Sequence, residues 1–202
     1  PSKYRMLLED RGVDLEGLQV KKGHTFRWKA RYDYDLNAAK TLQTQLNVFL
    51  HFSPRVPLRY RQTGVVFLAN IDPQLQLSVL KQVLRPNLVA ADTMNFWIEN
   101  KRKQLMEVLK RVNIFLLNDA EARELSGENS LLMAGRWIIS KGPGIVIIKK
   151  GEHGAILLLK DGCFSVPGYL LEKITDPTGA GDAFAGGLVG YLANSRKLTH
   201  SS

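Results

Sequence analysis

Cysteine occurs once in these 202 residues, at Cys163, which excludes an intrachain disulfide framework and a cysteine-built metal cluster. Histidine is also scarce: His24, His51, His153 and His200 lie far apart, and no two share the spacing that sets a pair of imidazoles on one helix face for a metal. Each reads as a structural or surface histidine. No apolar run approaches the roughly 20 residues that cross a bilayer, and the first residues lack the charged-then-apolar layout of a signal peptide. A soluble, cytoplasmic protein without a membrane partner is expected. The chain has no Walker loop, Gly-x-x-x-x-Gly-Lys-Ser/Thr, and no Gly-x-Gly-x-x-Gly fingerprint, so two common phosphate-binding devices are not in use.

What is present is ordinary globular material, 45% hydrophobic and 23% charged, enough for one substantial core. The formal charge of +9, from 28 Lys and Arg against 19 Asp and Glu, suits nucleic acid, an anionic membrane surface or a phosphorylated small molecule equally well. Its distribution narrows the choice. Basic residues come in short groups, Lys21-Lys22, Lys101-Arg102-Lys103 and Lys149-Lys150, with no long tract and no aromatic stripe, so most read as solvated faces and nucleic acid is not expected as a partner.

The chain opens at Pro1 directly on a helical pattern over residues 2–11 that stops at Gly12, and it reads as part of a longer protein. Thr25-Phe26-Arg27-Trp28 and Leu46-Asn47-Val48-Phe49-Leu50 carry aromatic and β-branched residues with partial alternation, which predicts a strand pair in a flap at about residues 20–53. After Pro54 and Pro57 short apolar runs alternate with amphipathic segments, the rhythm of parallel strands joined by helical crossovers. Strands are predicted over 65–69, 88–91, 114–117 and 144–149, with helices over 73–84, 96–111, 119–126 and 131–140. Asp161-Gly162 turns a strand over 155–160 into a hairpin partner over 163–166. A last helix begins near Ala180. The expectation is one α/β domain over the whole chain, with a β-rich flap.

The clearest chemistry lies in Asp176-Pro177-Thr178-Gly179-Ala180-Gly181-Asp182, followed by the small residues Ala183-Phe184-Ala185-Gly186-Gly187. A small-residue turn opens a helix whose first N–H groups have no intrahelical acceptor, and the helix dipole favours an anion there. Glycine lets a phosphate approach the backbone, because no Cβ intervenes. Asp182, in the first turn, is placed to accept a proton from an attacking hydroxyl. An acidic residue at a helix start is also simply favourable to the helix.

Taken whole, that string resembles the C-terminal signature of the ribokinase (PfkB) family of sugar and nucleoside kinases. The resemblance implies a ribokinase-like three-layer α/β sandwich with a mostly parallel central sheet and a small β lid. It also implies in-line transfer of the γ-phosphoryl group of Mg-ATP to a hydroxyl of a sugar or nucleoside. Asp182 would be the catalytic base, and the backbone of Gly179, Ala180 and Gly181 the anion hole. Asp176 and Thr178 match positions that in some members support a monovalent cation, whose use here stays open. Asn118-Asp119-Ala120-Glu121 matches an Asn-x-x-Glu that helps place magnesium and phosphates, with Glu121 acting on the Mg2+ indirectly. It is equally a helix-capping pattern.

Lys150 and Gly151 match a strand-turn-strand that borders the nucleotide, against the plain alternative of a basic hairpin turn. Asp92 and Asn95 fall at a strand end where ligands gather in open α/β sheets, although Asp92 or Thr93 also suits a helix cap. The flap resembles the lid over the acceptor, where Phe26, Trp28, Tyr32 and Tyr34 either stack on a ring or pack, in a lid-to-lid homodimer among other ways. Family members carry an acceptor-binding segment near their start and adenine-closing elements near their end. Neither has a counterpart here, so an incomplete acceptor site is expected. The alternative from another class is a catalytically inactive α/β nucleotide- or anion-binding module.

Overall fold

The computed structural model describes residues 2–32 and 39–195; Tyr34 lies outside them. The helix expected at the start is α1, Ser2–Glu9, followed by a turn in which Gly12 takes φ +73°. The flap is a two-stranded antiparallel sheet of β1 (Arg27–Tyr32) and β2 (Ala39–Gln45). Trp28 Nε1 donates to Thr41 Oγ1 across it at 3.1 Å.

One expectation fails here. The apolar alternation of Leu46-Asn47-Val48-Phe49-Leu50 does not make a strand: β2 ends at Gln45, and Asn47–His51 winds as a 3₁₀ turn. Asn47 sits at φ +50°, outside strand geometry, and its Nδ2 donates to Thr25 O at 2.7 Å. The aromatic residues then serve a local cluster. Phe49 stacks on Phe52 with centroids 5.3 Å apart and tilts against Phe26 at 5.6 Å.

The remaining elements build a six-stranded sheet in sequential order. They are β3 (Val65–Leu68), α2 (Pro73–Leu80), β4 (Leu88–Asp92), α3 (Asn95–Asn100), α4 (Arg102–Leu109), β5 (Ile114–Asn118), α5 (Asp119–Ser126), α6 (Leu131–Ile139), β6 (Ile145–Lys149), β7 (Ala155–Leu159), β8 (Gly162–Val166) and α7 (Ala180–Asn194). Strands β3 to β6 run parallel, and β7 and β8 add antiparallel to β6. Strands that follow one another without reversal of order, joined by crossovers of one hand, place the connecting helices on one face. That face carries Val89, Ala91, Phe115, Leu117, Val146 and Ile148, packed with Leu105, Leu109, Leu125 and Ile138 of the helices. The alternate residues Leu88, Ala90, Ile114, Leu116 and Ile147 point the other way and meet Ala185, Leu188, Val189 and Leu192 of α7. Helices, sheet and α7 therefore form three layers, in accord with the expected fold class.

The single helix predicted over 96–111 is two. Asn100 Nδ2 bonds back to Phe96 O at 2.8 Å, and Lys101 leaves helical geometry at φ −134°, ψ 29°. A side-chain amide competing for helix carbonyls ends α3. Arg102 then restarts the chain, with its Nη2 on Leu125 O at 2.6 Å. No helix among the described residues is long and apolar enough to cross a membrane.

Candidate active site at the strand edge

Parallel strands end at a common edge, and ligands of open α/β sheets bind there. Asp92, Asn118 and Lys149 are the last residues of β4, β5 and β6, and Asn118 stands in register with Lys149. Gln76 ties β3 to β4 just below: its buried Nε2 donates to Leu68 O, Ala69 O and Asp92 O at 3.2, 3.0 and 3.0 Å.

Asp92 is only 4% exposed. Its Oδ1 accepts from Thr93 N at 2.8 Å and its Oδ2 from Lys149 Nζ at 3.1 Å. Burial raises its pKa; the Lys149 charge and the Thr93 N–H oppose that rise, and the Asp182 charge adds to it. The helix-capping alternative for Asp92 or Thr93 is not realised. The residue before α3 is Met94, which makes no side-chain cap, and the Asp92 carboxylate is turned toward Lys149. Asn95, the first residue of α3, is half-buried.

The capping pattern at β5 is real. Asn118 Oδ1 accepts from Glu121 N at 2.8 Å, while Glu121 Oε2 accepts from Asn118 N at 2.7 Å. This box fixes the buried Glu121 carboxyl near the strand edge, where burial pushes its pKa up to about 7. The Asn118 N–H opposes that rise, Asp92 adds to it, and Lys149 lowers it.

The signature segment reaches the same edge from the opposite layer. Gly179 precedes α7 at φ +84°, ψ −1°, a conformation that a side chain would strain. Ala180 N bonds Pro177 O at 3.1 Å, and Ala183 N bonds Gly179 O at 2.9 Å. Asp182 is exposed in the first turn. A Cβ built on Gly181 would come within 3.1 Å of Lys149 Nζ, so the α7 N-terminus and the β6 lysine share one place. Asp176 Oδ1 accepts from Thr178 N at 2.9 Å, which holds its pKa low. Tyr32 of the lid brings its hydroxyl 3.5 Å from Thr178 Oγ1.

Lys150 and Gly151 start the turn between β6 and β7, closed by Lys150 N on Gly154 O at 2.8 Å. Gly154 is required there: φ is +85°, and a Cβ would fall 2.0 Å from Val166 O. The structure thus gathers Asp92, Asn118, Glu121, Gly181 and Asp182 around one edge, with Lys150 and Gly151 next along the chain from β6. Sequence reasoning missed Lys149. The available signal was that the first lysine of the Lys149-Lys150 pair directly closes the apolar strand Ile145-Val146-Ile147-Ile148.

Among the described residues no three His, Cys, Asp or Glu side chains cluster to hold a metal ion by themselves.

Residues 2–202 match the model of the pfkB family carbohydrate kinases. A cytidine kinase of Thermococcus kodakarensis is 31% identical over 192 residues, covering 92% of this chain and 68% of its own. A nucleoside kinase of Methanocaldococcus jannaschii is 28% identical over 127 residues, 63% of this chain and 41% of its own. Among solved structures, the M. jannaschii nucleoside kinase superposes with a TM-score of 0.72 at 23% identity, over 95% of this chain and 63% of that one. The ribokinase of Thermotoga maritima does so with 0.75 at 18% identity, over 98% and 65%. The chain thus spans less than two thirds of either solved kinase, and these two likenesses establish the fold. With the family match running through almost every residue, the chain belongs to the pfkB family of carbohydrate kinases.

Proposed function

We propose that this chain carries the phosphotransfer centre of a kinase that moves the γ-phosphoryl group of ATP to a hydroxyl of a sugar or nucleoside. The observation that carries this reading is Asp182, exposed in the first turn of α7 at the strand edge where Asp92, Lys149 and Glu121 meet. Relatives named cytidine kinase and nucleoside kinase favour a nucleoside as acceptor.

Asp182 accepts the hydroxyl proton as the acceptor oxygen bonds to the γ-phosphorus, and the bond from that phosphorus to the bridging oxygen breaks to leave ADP. The N–H groups of Gly179, Ala180 and Gly181 line the N-terminal end of α7, where charge on the phosphate oxygens is stabilised; that of Ala180 rests on Pro177 O in this structure and exchanges that bond for a phosphate oxygen. Magnesium bound with the nucleotide would supply further neutralisation of those oxygens, with Asn118 and Glu121 as the residues that help hold it. Lys150 and Gly151 border the nucleotide, Asp92 and Asn95 line the ligand side, and Asp176 with Thr178 form the candidate monovalent-cation position. The lid covers the acceptor and is the surface for a homodimer. A cytoplasmic location accords with nucleotide and sugar substrates.

The test is ATP consumption by the full-length protein with pooled nucleosides and sugars, run beside Asp182→Asn. Acceptor-dependent turnover that falls by about 10²–10⁴ in the variant supports the base role. Equal turnover in both, or none in either, turns the reading toward an inactive anion-binding module.

A further inference from the structure

Lys149 is a cation in a place that packing alone does not favour. Its side chain is 17% exposed, and its ammonium lies against Gly181 at the N-terminal end of α7. The positive end of a helix repels a cation, so two positive features converge on one spot. Asp92 engages one of the three N–H donors of the ammonium, at 3.1 Å, and is itself fixed by Thr93 N and by burial.

Carboxylates crowd the same place. Beyond the effect of burial, Asp182 raises the pKa of Asp92 and Asp92 raises that of Glu121, while Lys149 lowers both. Without Lys149 these groups would oppose the approach of nucleotide phosphates. With it, a fixed cation stands beside Gly181 at the N-terminal end of α7.

We propose that Lys149 is a further catalytic residue of this centre: its ammonium, aimed by Asp92, meets the oxygens of the transferring phosphoryl group beside Gly181. Asp92 is its positioning residue. The inference rests on the kinase reading above and adds a charge that the signature string does not contain. In phosphoryl transfer the protein acts mainly by placing charge, and a cation held by its own partner needs no reorganisation as charge shifts on the phosphate.

The test uses the full-length protein with Lys149→Met, Lys149→Arg, Asp92→Asn and the double variant Asp92→Asn/Lys149→Met. Turnover is split into kcat and KM, and inorganic tripolyphosphate binding is measured by calorimetry. Lys149→Met is expected to lower kcat by about 10²–10³, and Lys149→Arg to recover part of it. Asp92→Asn, which keeps the cation but frees it, is expected to lose less than Lys149→Met.

If Lys149→Met fails to fold because Asp92 is left as a buried unpaired charge, the double variant removes that charge and should fold while staying slow. Wild-type kcat in whichever of the two folds overturns the inference while leaving the Asp182 reading intact. Where wild type and Asp182→Asn both lack turnover, the kinase reading has failed and the binding arm decides. Tripolyphosphate binding weakened at least about tenfold by loss of Lys149 supports the anion role, since removal of one charge-assisted partner costs that much or more. Equal binding, or none in wild type, overturns it.

Discussion

In β5 four successive side chains, residues 114–117, are buried, whereas in β1 exposed and half-buried residues alternate from Arg27 to Tyr32. Both are strands, but β5 is clamped between α2–α6 and α7, while β1 pairs, among the described residues, with β2 alone. The comparison divides the site into two halves of different character. Charged groups at the strand edge are held by a packed core, and among the described residues the lid reaches the signature segment at Tyr32, whose hydroxyl lies 3.5 Å from Thr178 Oγ1. On the proposed function, a centre that places charge needs the packed half, and a surface that admits an acceptor needs the other.

The largest expected effect breaks the packed half. Leu117→Ala in β5 should cost about 2–5 kcal/mol of stability by leaving a cavity between sheet and helices. Trp28→Ala in the lid should cost less, about 1–2 kcal/mol, through loss of a half-buried ring and its hydrogen bond to Thr41. Thermal unfolding of the two variants measures the contrast, and equal losses would make lid and sheet one cooperative unit. Gly154→Ala should follow at about 1–3 kcal/mol, because its Cβ would meet Val166 O at 2.0 Å; chemical denaturation checks it.

A pH series sharpens the picture of the strand edge. Glu121 titrates at about 7 in the folded chain instead of 4.5, so between those values the folded state keeps a proton that the unfolded chain has released. Its stabilising contribution is whole below about pH 4.5 and is lost as pH rises toward 7, with a slope of up to about 1.4 kcal/mol per pH unit. Glu121→Gln, which can still accept from Asn118 N, should flatten that decline when denaturation is followed from pH 4.5 to 7.5. The smallest effect belongs to Tyr32→Phe. A 3.5 Å hydroxyl contact is at the weak limit, and its loss should change stability by no more than about 0.5 kcal/mol, with the acceptor KM as the more sensitive readout.

The packed half was the more legible from sequence, because each strand and crossover helix declares its burial through its own periodicity. The 119–126 helix, with its Asn118–Glu121 box, and the start of α7 at Ala180 follow from local residues alone. What local pattern cannot show is pairing across the sheet. Asp92 and Lys149 are 57 residues apart, and nothing in Asp92-Thr93-Met94-Asn95 indicates that its carboxylate leaves the following helix uncapped to meet β6. The same holds at Leu46-Asn47-Val48-Phe49-Leu50, where alternation suited a strand but the left-handed Asn47 and the Phe26, Phe49 and Phe52 cluster gave a 3₁₀ turn. At Lys101 a side-chain bond from Asn100 divided a helix that periodicity alone would continue.

The central claim is that Asp182 takes the acceptor proton as the γ-phosphoryl group leaves ATP. The most direct measurement incubates the full-length protein and Asp182→Asn with γ-labelled ATP and a nucleoside pool, then follows where the label goes. The account predicts label on a nucleoside hydroxyl with the wild-type protein and almost none with the variant. Label arriving on the acceptor equally fast with Asp182→Asn, or released only as free phosphate by both, would contradict it.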